Sequence, residues 1–300
     1  MSEHKIKPLS SQTVRKVVQQ ALAEDLAQGD VTTQALFPSS IRARATIVAH
    51  QAITVAGVAV AREVFRTVDA SLRITHSVAD GSVLKRGAVV MTIEGDGRSL
   101  LMAERVAVNF LQRLSGVATL TAAFCAAVHG LRTAILDTRK TTPGLRILEK
   151  WAVALGGGRN HRFSLGDAIL IKDNHLALLQ AEGGNLIEAC RRARHRSRRK
   201  LLVEAEAKTL EEVRQALAGH ADIILLDNMS PALVRRAVRI IAGRAKIEVS
   251  GGITLRTVRR IAQAKPDFIS VGALTHSAPA VNLSMDLCPL PLRRTARPPR

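Results

Sequence analysis

The chain has 300 residues, of which 47% are hydrophobic, and its 44 basic and 25 acidic residues give a formal net charge of +19. This length and composition exclude a small disulfide-rich domain and a disordered chain, and they allow one large domain or two. Aromatic residues amount to 2%, so the predicted core is aliphatic, while the charge predicts anionic ligands. The 3 cysteines form no CxxC pair, which argues against a zinc site and fits a reducing compartment.

The first residues, MSEHKIKPLS, contain no apolar signal core. Residues 45–61 are apolar but are interrupted by polar residues, so they predict strands rather than a membrane-spanning helix. We therefore expect a soluble, cytoplasmic protein without a membrane segment.

The first third of the chain predicts two helices that flank a strand-rich segment. Apolar residues recur at helical spacing over residues 11–26, and Ser10 or Ser11 can cap this helix. Residues 41–95 alternate polar and apolar residues between turn residues, which predicts strands. A second amphipathic helix is expected over residues 99–114.

These segments predict an N-terminal domain over residues 1–115, followed by a catalytic domain over 116–275. The segment 276–289 is expected to pack back on the N-terminal domain, and the basic Pro/Arg tail 290–300 is expected to be disordered. No aromatic residue interrupts the basic run 191–200, so this run lacks the stacking surface of single-strand nucleic-acid binders.

Six later segments share one pattern, an apolar run followed by polar residues. In one-letter code they are AILDTRK (134–140), AILIKDNH (168–175), LLVEAE (201–206), IILLDN (223–228), KIEVSGG (246–252) and DFISVGA (267–273). Such apolar runs predict buried parallel strands, and the stretches between them are long enough for one crossover helix each. This is the layout of a βα barrel, in which the carboxyl ends of the strands converge on one mouth that holds the active site.

Basic residues surround the ends of the first two predicted strands. They are Arg139, Lys140, His161, Arg162 and Lys172. Arginine offers a planar fork that suits carboxylates and phosphates, and lysine offers a point charge. Like charges at one mouth destabilise a fold unless an anion neutralises them, so the pattern predicts an anionic substrate. Metal binding by His161 and His175 is a weaker alternative, because no carboxylate stands at ligand spacing.

Two carboxylates are predicted at the same mouth. Glu204 and Asp227 are expected to end successive strands, where they can recognise hydroxyls, contact Mg²⁺ or stabilise a developing positive charge. Ion pairing with the basic cluster is the alternative. Glu206 points to the same face as Glu204 and can orient it. The strand ends at 250–252 and 271–273 predict a phosphate site built from backbone N–H groups.

The longest of these motifs resemble one family. AERVAVNFLQRLSGVAT, LDTRKTTPGLRILEKWAV, GGGRNHRFSLGDAILIKDNH, LLDNM, SGGI and ISVGALTHSAP are similar to motifs of quinolinate phosphoribosyltransferase, also called nicotinate-nucleotide pyrophosphorylase (carboxylating). The resemblance implies an α/β fold with an N-terminal α/β sandwich domain and an open α/β barrel of about seven strands. It implies transfer of phosphoribosyl from phosphoribosyl pyrophosphate to quinolinate with decarboxylation, which yields nicotinate mononucleotide, pyrophosphate and CO₂ in NAD biosynthesis.

The resemblance also implies site residues. The implied catalytic residues are Lys140, Glu204 and Asp227. The implied substrate-binding residues are Arg105, Thr138, Arg139, Lys140, His161, Arg162, Lys172, Glu204, Asp227, Ser250, Gly251, Gly252, Val271, Gly272 and Ala273. Mg²⁺ is expected to arrive with phosphoribosyl pyrophosphate, near Glu204 and Asp227, and not to be held by the protein alone. The family works as a homodimer or hexamer, and Arg105 is expected to reach the neighbouring active site.

Two other functions remain open from the sequence. A ModD-like relative of the same fold, associated with molybdenum transport, would act on a different substrate, but here the TRK and NHR motifs are both complete. A basic nucleic-acid-binding protein would show DNA binding that weakens steeply with salt. We expect no nucleic-acid partner, because much of the basic charge belongs to the predicted active site.

Overall fold

The computed structural model of the protein describes residues 8–197 and 201–291. The helices in these ranges are α1 (Ser11–Asp25), α2 (Val31–Leu36), α3 (Val58–Val68), α4 (Gly97–Ala127), α5 (Arg146–Leu155), α6 (Asp173–Gln180), α7 (Leu186–Arg196), α8 (Leu210–Ala218), α9 (Pro231–Ile241), α10 (Val258–Ala262) and α11 (Ala273–His276). The strands are β1 (Arg42–Ala49), β2 (Ile53–Thr54), β3 (Arg73–Ser77), β4 (Val83–Leu84), β5 (Val89–Asp96), β6 (Ala134–Leu136), β7 (Ile169–Ile171), β8 (Val203–Ala207), β9 (Ile223–Asp227), β10 (Lys246–Ser250), β11 (Phe268–Ser270) and β12 (Leu283–Pro289).

The described residues form two compact units. The first comprises those of Met1–Thr119 and Ala278–Arg300, and the second comprises those of Leu120–Ser277. The domain bounds predicted near residues 115 and 275 stay predictions. Residues 292–300 of the predicted disordered tail, and the last three residues of the basic run, lie outside the described residues.

The first unit contains a four-stranded antiparallel sheet in the order β12-β1-β5-β3. Alternate residues of β1 are buried from Ala43 to Ala49, as the polar–apolar alternation predicts. Strand β12 pairs with β1 along its length, so the segment after the second unit completes this sheet. The predicted first helix is confirmed as α1, and the Ser10 side chain accepts a hydrogen bond from Thr13 N–H at its start.

Helix α3 interrupts the segment that was predicted to contain strands alone. Its buried residues Val58, Ala61 and Phe65 recur at helical spacing, and the many β-branched residues hid this period. The cap comes from far along the chain, because the Asp80 carboxylate accepts hydrogen bonds from the N–H groups of Gly57, Val58 and Ala59. The strand prediction for this part was wrong because the residue that caps the helix, Asp80, lies 22 positions after the helix start at Val58.

Helix α4 is longer than the predicted second amphipathic helix and continues through the predicted boundary. Gly116 does not break it, and a Cβ at this position would lie 2.1 Å from the Pro279 carbonyl oxygen, so close packing requires glycine here. By length and composition α4 could cross a membrane, but half of its most apolar window is buried. Core helices pass the same test, and Leu100, Leu111 and Leu114 are fully buried, so α4 has the character of a core helix.

The second unit contains a parallel sheet in the order β6-β11-β10-β9-β8-β7. All six strands predicted from the apolar runs are present, and the order is cyclic except for the missing contact between β6 and β7, as in an open barrel. The resemblance implied about seven strands, whereas the sheet has 6 within the described ranges. At the open edge, Leu136 forms an isolated parallel bridge with Arg159, which occupies part of the place of a further strand.

Candidate active site

A cavity of about 530 Å³ lies at the carboxyl ends of the parallel strands. The predicted site residues that line it are Thr138, Arg139, Lys140, His161, Arg162, Lys172, Asp227, Ser250, Gly251, Gly252, Val271, Gly272 and Ala273. Two predicted residues, Arg105 and Glu204, are not among the lining residues. Arg105 lies in the α4 segment of the first unit, and its side chain is 63% exposed beside Glu104.

Three basic side chains of this cavity lack acidic partners among the described residues. Within residues 8–197 and 201–291, no ion pair involves Arg139, Lys140 or Arg162. The buried Nε of Arg139 has no hydrogen-bonding partner in the part of the chain that the structure describes. Burial and the charge of Arg139 both lower the pKa of Arg162, so the two guanidinium groups lie close enough to repel each other. An anion bound between them would remove this repulsion.

Internal hydrogen bonds hold the loop after β6 in place. Arg146 at the start of α5 donates from Nε to Thr141 Oγ1 (3.0 Å) and from a terminal nitrogen to Phe163 O (3.0 Å). The hydroxyl of Thr275 donates to Lys140 O at 2.8 Å. These bonds fix the backbone that carries the unpaired cations, while the cationic groups stay available to a ligand.

A buried ion pair supports the second basic segment. The side chains of Asp137 and Lys150 are fully buried and hydrogen-bonded to each other. Asp137 also accepts from the N–H of His161 (2.8 Å) and from Asn160 Nδ2 (2.6 Å), while Lys150 donates to His161 O (2.9 Å). Burial raises the pKa of Asp137 and lowers that of Lys150, and their mutual attraction opposes both shifts. The pair therefore fixes the backbone at His161.

Both ring nitrogens of His161 are engaged. Nδ1 accepts a hydrogen bond from Arg162 N–H at 2.8 Å, and Nε2 lies 3.0 Å from Glu204 Oε2 and 3.6 Å from Glu248 Oε2. Burial lowers the pKa of His161, but the bond to Glu204 and the charge of Glu248 outweigh it and raise the pKa. The raised pKa favours a second ring proton, but a proton on Nδ1 would break the hydrogen bond from Arg162 N–H. The hydrogen bond carries more weight here, and it favours the neutral ring with its proton on Nε2.

Glu204 does not end its strand as predicted. It is the second residue of β8 and is 1% exposed. The strand continues beyond it toward the cavity as far as Ala207. Glu206 therefore takes the position nearer the mouth and lines the cavity with Asp227, which does end β9. Burial and the charge of Asp227 raise the pKa of Glu206, and Lys172 Nζ lies 3.7 Å from its carboxylate.

The glycine-rich end of β10 has an open backbone. Gly251 and Gly252 adopt φ values of 94° and 60°, and a Cβ on Gly251 would lie 2.2 Å from Asn228 Oδ1. The N–H groups of these two glycines find no acceptor in the part of the chain that the structure describes. A Cβ on Gly272 would lie 3.2 Å from Lys140 Cδ, so the lysine chain lies over the neighbouring strand end. This arrangement suits a phosphate.

Glu248 is a cavity residue that the sequence analysis missed. It is 1% exposed and lies two residues before Ser250 on β10, so both side chains face the same side of the sheet. A charged residue within an otherwise apolar strand was the available signal. One side-chain atom each of His161, Glu204 and Glu248 lie within 4.8 Å of one another, which is a spacing that could also hold a metal ion.

Comparisons with known proteins match both parts of the chain. Residues 30–115 match the family model for the quinolinate phosphoribosyl transferase N-terminal domain, and residues 117–286 match that for the C-terminal domain. A probable nicotinate-nucleotide pyrophosphorylase [carboxylating] of Bacillus subtilis (strain 168) is 40% identical over 91% of this chain and 93% of its own length. The chloroplastic nicotinate-nucleotide pyrophosphorylase [carboxylating] of Arabidopsis thaliana is also 40% identical, over 94% of this chain and 85% of its own.

A solved structure agrees with these sequence matches. The nicotinate-nucleotide pyrophosphorylase from Francisella tularensis superimposes with a TM-score of 0.88 and 37% identity, over 96% of this chain and 100% of its own. Its match confirms the predicted α/β fold class, with an antiparallel N-terminal sheet and a parallel six-stranded sheet. The chain is therefore a member of the quinolinate phosphoribosyltransferase family.

Proposed function

We propose that this cavity transfers phosphoribosyl from phosphoribosyl pyrophosphate to quinolinate with decarboxylation, as a step of NAD biosynthesis. The observation that carries the proposal is the set of unpaired cations, Arg139, Lys140 and Arg162, beside an open glycine backbone. A dianionic pyridine and a phosphorylated sugar are the ligands that such a site suits. Family membership supplies the reaction, and the cavity supplies groups for both substrates.

The two substrates divide the cavity between them. Arg139 and Arg162 hold the two carboxylates of quinolinate, since their guanidinium groups lie close together and Arg139 has an unsatisfied Nε. The N–H groups of Gly251 and Gly252 hold the phosphate on the sugar. Lys140 lies over the strand end at Gly272 and contacts the pyrophosphate as it leaves.

Glu206 and Asp227 face the sugar carbon that becomes positive during transfer. Both line the cavity, whereas Glu204 is turned toward His161 beneath it. Asp227 raises the pKa of Glu206, so the two carboxylates repel each other and a divalent cation would relieve the repulsion. They therefore suit the Mg²⁺ that phosphoribosyl pyrophosphate carries, and this ion would neutralise the leaving pyrophosphate.

The protein acts as a homodimer or larger assembly in which Arg105 completes the neighbouring active site. Support comes from its exposure on α4, where its side chain is 63% exposed. Mixing an Arg105→Ala protein with a Lys140→Ala protein should restore activity through hybrid assemblies. Verified subunit exchange without recovery would contradict shared sites.

The decisive assay is the release of labelled CO₂ from quinolinate carrying label in the carboxyl group on C2, with phosphoribosyl pyrophosphate and Mg²⁺. We expect turnover with quinolinate and little with nicotinate, which lacks the second carboxylate that the paired arginines would bind. Comparable turnover of nicotinate would contradict the proposal. Omission of Mg²⁺ should stop the reaction, and added Mg²⁺ should restore it.

A soluble protein of the cytoplasm fits this function. The cysteines are free where the structure describes them, and α4 has the burial of a core helix. Relatives in plants carry chloroplastic or mitochondrial names, so cell fractionation is the test for this chain. Recovery in the membrane fraction after a salt wash would contradict the assignment.

A further inference from the structure

We propose that Glu248 is the acid that delivers a proton to C2 of the pyridine ring after the carboxylate on that carbon leaves as CO₂. The inference rests on the proposed reaction and adds a residue to it. Decarboxylation leaves a carbon that must gain a proton before the product is complete. The cavity therefore needs a proton donor as well as the cations that bind the substrates.

Glu248 lines the same cavity as the arginines proposed to bind quinolinate. Its carboxyl group is almost completely buried, yet it contributes to the lining of the cavity that contains Arg139 and Arg162. Its close neighbours are Glu204 on β8 and His161 on the loop before β7. The facing residue of β9 is the apolar Leu225, and Ser270 on β11 lies within hydrogen-bonding distance.

This cluster has fewer hydrogen-bond donors than its carboxylate oxygens require. Glu204 Oε1 and Glu248 Oε2 are buried and have no hydrogen-bonding partner among the described residues. His161 offers a single N–H, on Nε2, and this group lies nearer to Glu204. Two buried carboxyl groups in such proximity do not both stay ionised, because burial and mutual repulsion favour one shared proton.

Glu248 is the member of the pair that holds this proton. Burial and the charge of Glu204 raise the pKa of Glu248 to about 8, while His161 and Ser270 act in the opposite direction. At neutral pH the cavity thus contains an uncharged carboxylic acid. This proton is available to a carbon base.

The step balances without any further reactant. The bond between C2 and the carboxylate breaks, and its electron pair stays on C2 beside the positively charged ring nitrogen. This pair takes the proton from Glu248, so a C–H bond forms and the O–H bond breaks. Glu248 recovers a proton from water before the next cycle. No group is oxidised or reduced.

The cavity arginines and Glu206 are weaker donors for this step. Arginine side chains in general do not give up a proton at working pH, so they are poor acids for this step. Glu206 is the rival acid, but Lys172 lies 3.7 Å from its carboxylate and it faces Asp227. Loss of the Glu206 carboxylate should slow the transfer of phosphoribosyl, whereas loss of the Glu248 carboxyl group should slow the protonation that follows. Glu206→Gln is therefore the matched control for Glu248→Gln.

Rapid-quench single turnovers separate these steps by measuring pyrophosphate, CO₂ and nicotinate mononucleotide together. For Glu248→Gln we expect pyrophosphate release close to that of the wild type and formation of the mononucleotide slowed at least about tenfold. The Glu206→Gln protein should instead release pyrophosphate slowly. Formation of the mononucleotide by the wild type should decline as pH rises through about 8, and Glu248→Gln should lose this decline.

Ser270→Ala gives a second test that does not alter the acid itself. The hydrogen bond from Ser270 lowers the pKa of Glu248, so its removal should move the decline to higher pH. Equal rates of all products in Glu248→Gln and wild type would overturn the inference. A pH profile of mononucleotide formation by the wild type that shows no decline near pH 8 would also overturn it. The same holds if Ser270→Ala leaves this decline at the same pH. Both of these results can be obtained even if Glu248→Gln fails to fold.

A metal ion in the same cluster is the competing explanation. His161, Glu204 and Glu248 present three ligand atoms, so a tightly bound ion would take the place of the shared proton. Metal analysis of the purified protein should find no ion that Glu248→Gln removes. One such ion per chain would overturn the inference. Failure of the wild type to release CO₂ from quinolinate would instead overturn the proposed function, and the inference with it.

Discussion

Both ends of the parallel sheet carry basic side chains, but the two ends neutralise them differently. At the amino ends of the strands, a cavity of about 890 Å³ is lined by Arg194, Arg244 and Lys246. Arg194 pairs with Asp222 at 3.0 Å and Lys246 pairs with Asp267 at 2.7 Å. Arg244 donates to backbone carbonyls at the end of α9. Arg194 and Lys246 therefore have acidic partners within the fold, and backbone carbonyls hold Arg244.

The carboxyl ends present the opposite arrangement. The cavity there is smaller, about 530 Å³, yet Arg139, Lys140 and Arg162 have no acidic partner among the described residues. Cations left unpaired in a folded protein destabilise it, so their persistence indicates a ligand that supplies the missing charge. Cavity size alone would favour the amino ends. Unsatisfied charge distinguishes the site.

The largest effect should follow from breaking the buried pair that supports the carboxyl end. Lys150→Met leaves Asp137 buried without its partner, which should lower the free energy of unfolding by about 3–5 kcal/mol. Lys246→Met at the amino end is the matched control, because this side chain is 63% exposed and its loss should change stability by less than about 1 kcal/mol. Urea unfolding of both proteins measures the difference. Equal losses would show that burial does not distinguish the two pairs.

The next effect concerns activity. Arg139→Met should lower kcat/KM for quinolinate by about ten- to a hundredfold, the equivalent of about 1.5–3 kcal/mol for a charged hydrogen bond. Arg194→Met removes the same type of charge at the amino end and should leave kcat/KM near the wild-type value. Steady-state kinetics with varied quinolinate measures both. Similar losses in the two variants would mean that net charge, rather than the unpaired position, governs binding.

Much of this difference between the ends was visible in the sequence. The apolar runs predicted all six parallel strands, and the residues after them predicted the cavity, including Arg139, Lys172 and Asp227. These predictions succeeded because they depend on local order: a strand of a parallel sheet delivers the residue that follows it to a known edge.

The failures depend on contacts that are distant in the chain. Glu204 and Glu206 share one face of β8. Which of them lies near the mouth depends on where the strand begins and ends in the folded protein. Glu248 gains its importance from Glu204 and His161, which come from other elements. Helix α3 was missed because Asp80, its cap, lies after the helix and not before it. No single-segment pattern contains such partners.

The acidic residues at the two ends of the sheet differ in their hydrogen bonds, and this difference should be visible in the pH dependence of stability. Asp222 and Asp267 accept hydrogen bonds from the backbone N–H groups of Val203 and Ile247, whereas Glu248 Oε2 has no donor. The raised pKa of Glu248, about 8 in the folded protein against 4.5 as its ordinary value, means that the folded state holds the proton more tightly. The wild type should therefore lose stability as pH rises from about 5 to 8, by roughly 3–4 kcal/mol from this group.

Glu248→Gln cannot titrate, so it should lack this part of the loss. Its melting temperature relative to that of the wild type should rise as pH increases from 5 to 9. Glu211→Gln, which alters a solvent-exposed carboxylate on α8, is the control and should follow the wild type. A constant difference between Glu248→Gln and wild type across this range would show that the carboxyl group carries no buried proton.

The smallest effect should come from an anion that occupies the unpaired cations. Pyrophosphate binds the folded protein and not the unfolded chain, so at ten times its Kd it should stabilise the wild type by about 1.4 kcal/mol. Arg194→Met should retain this stabilisation, because the amino-end cations already have partners. Lys140→Ala should lose much of it, since this lysine lies at the strand end proposed to bind phosphate. Thermal melting at low and high salt measures the shift, which should shrink with salt as charges are screened. Equal stabilisation of the Arg194→Met and Lys140→Ala proteins would show that the anion binds away from Lys140. The proposed difference between the amino and carboxyl ends of the sheet would then be wrong.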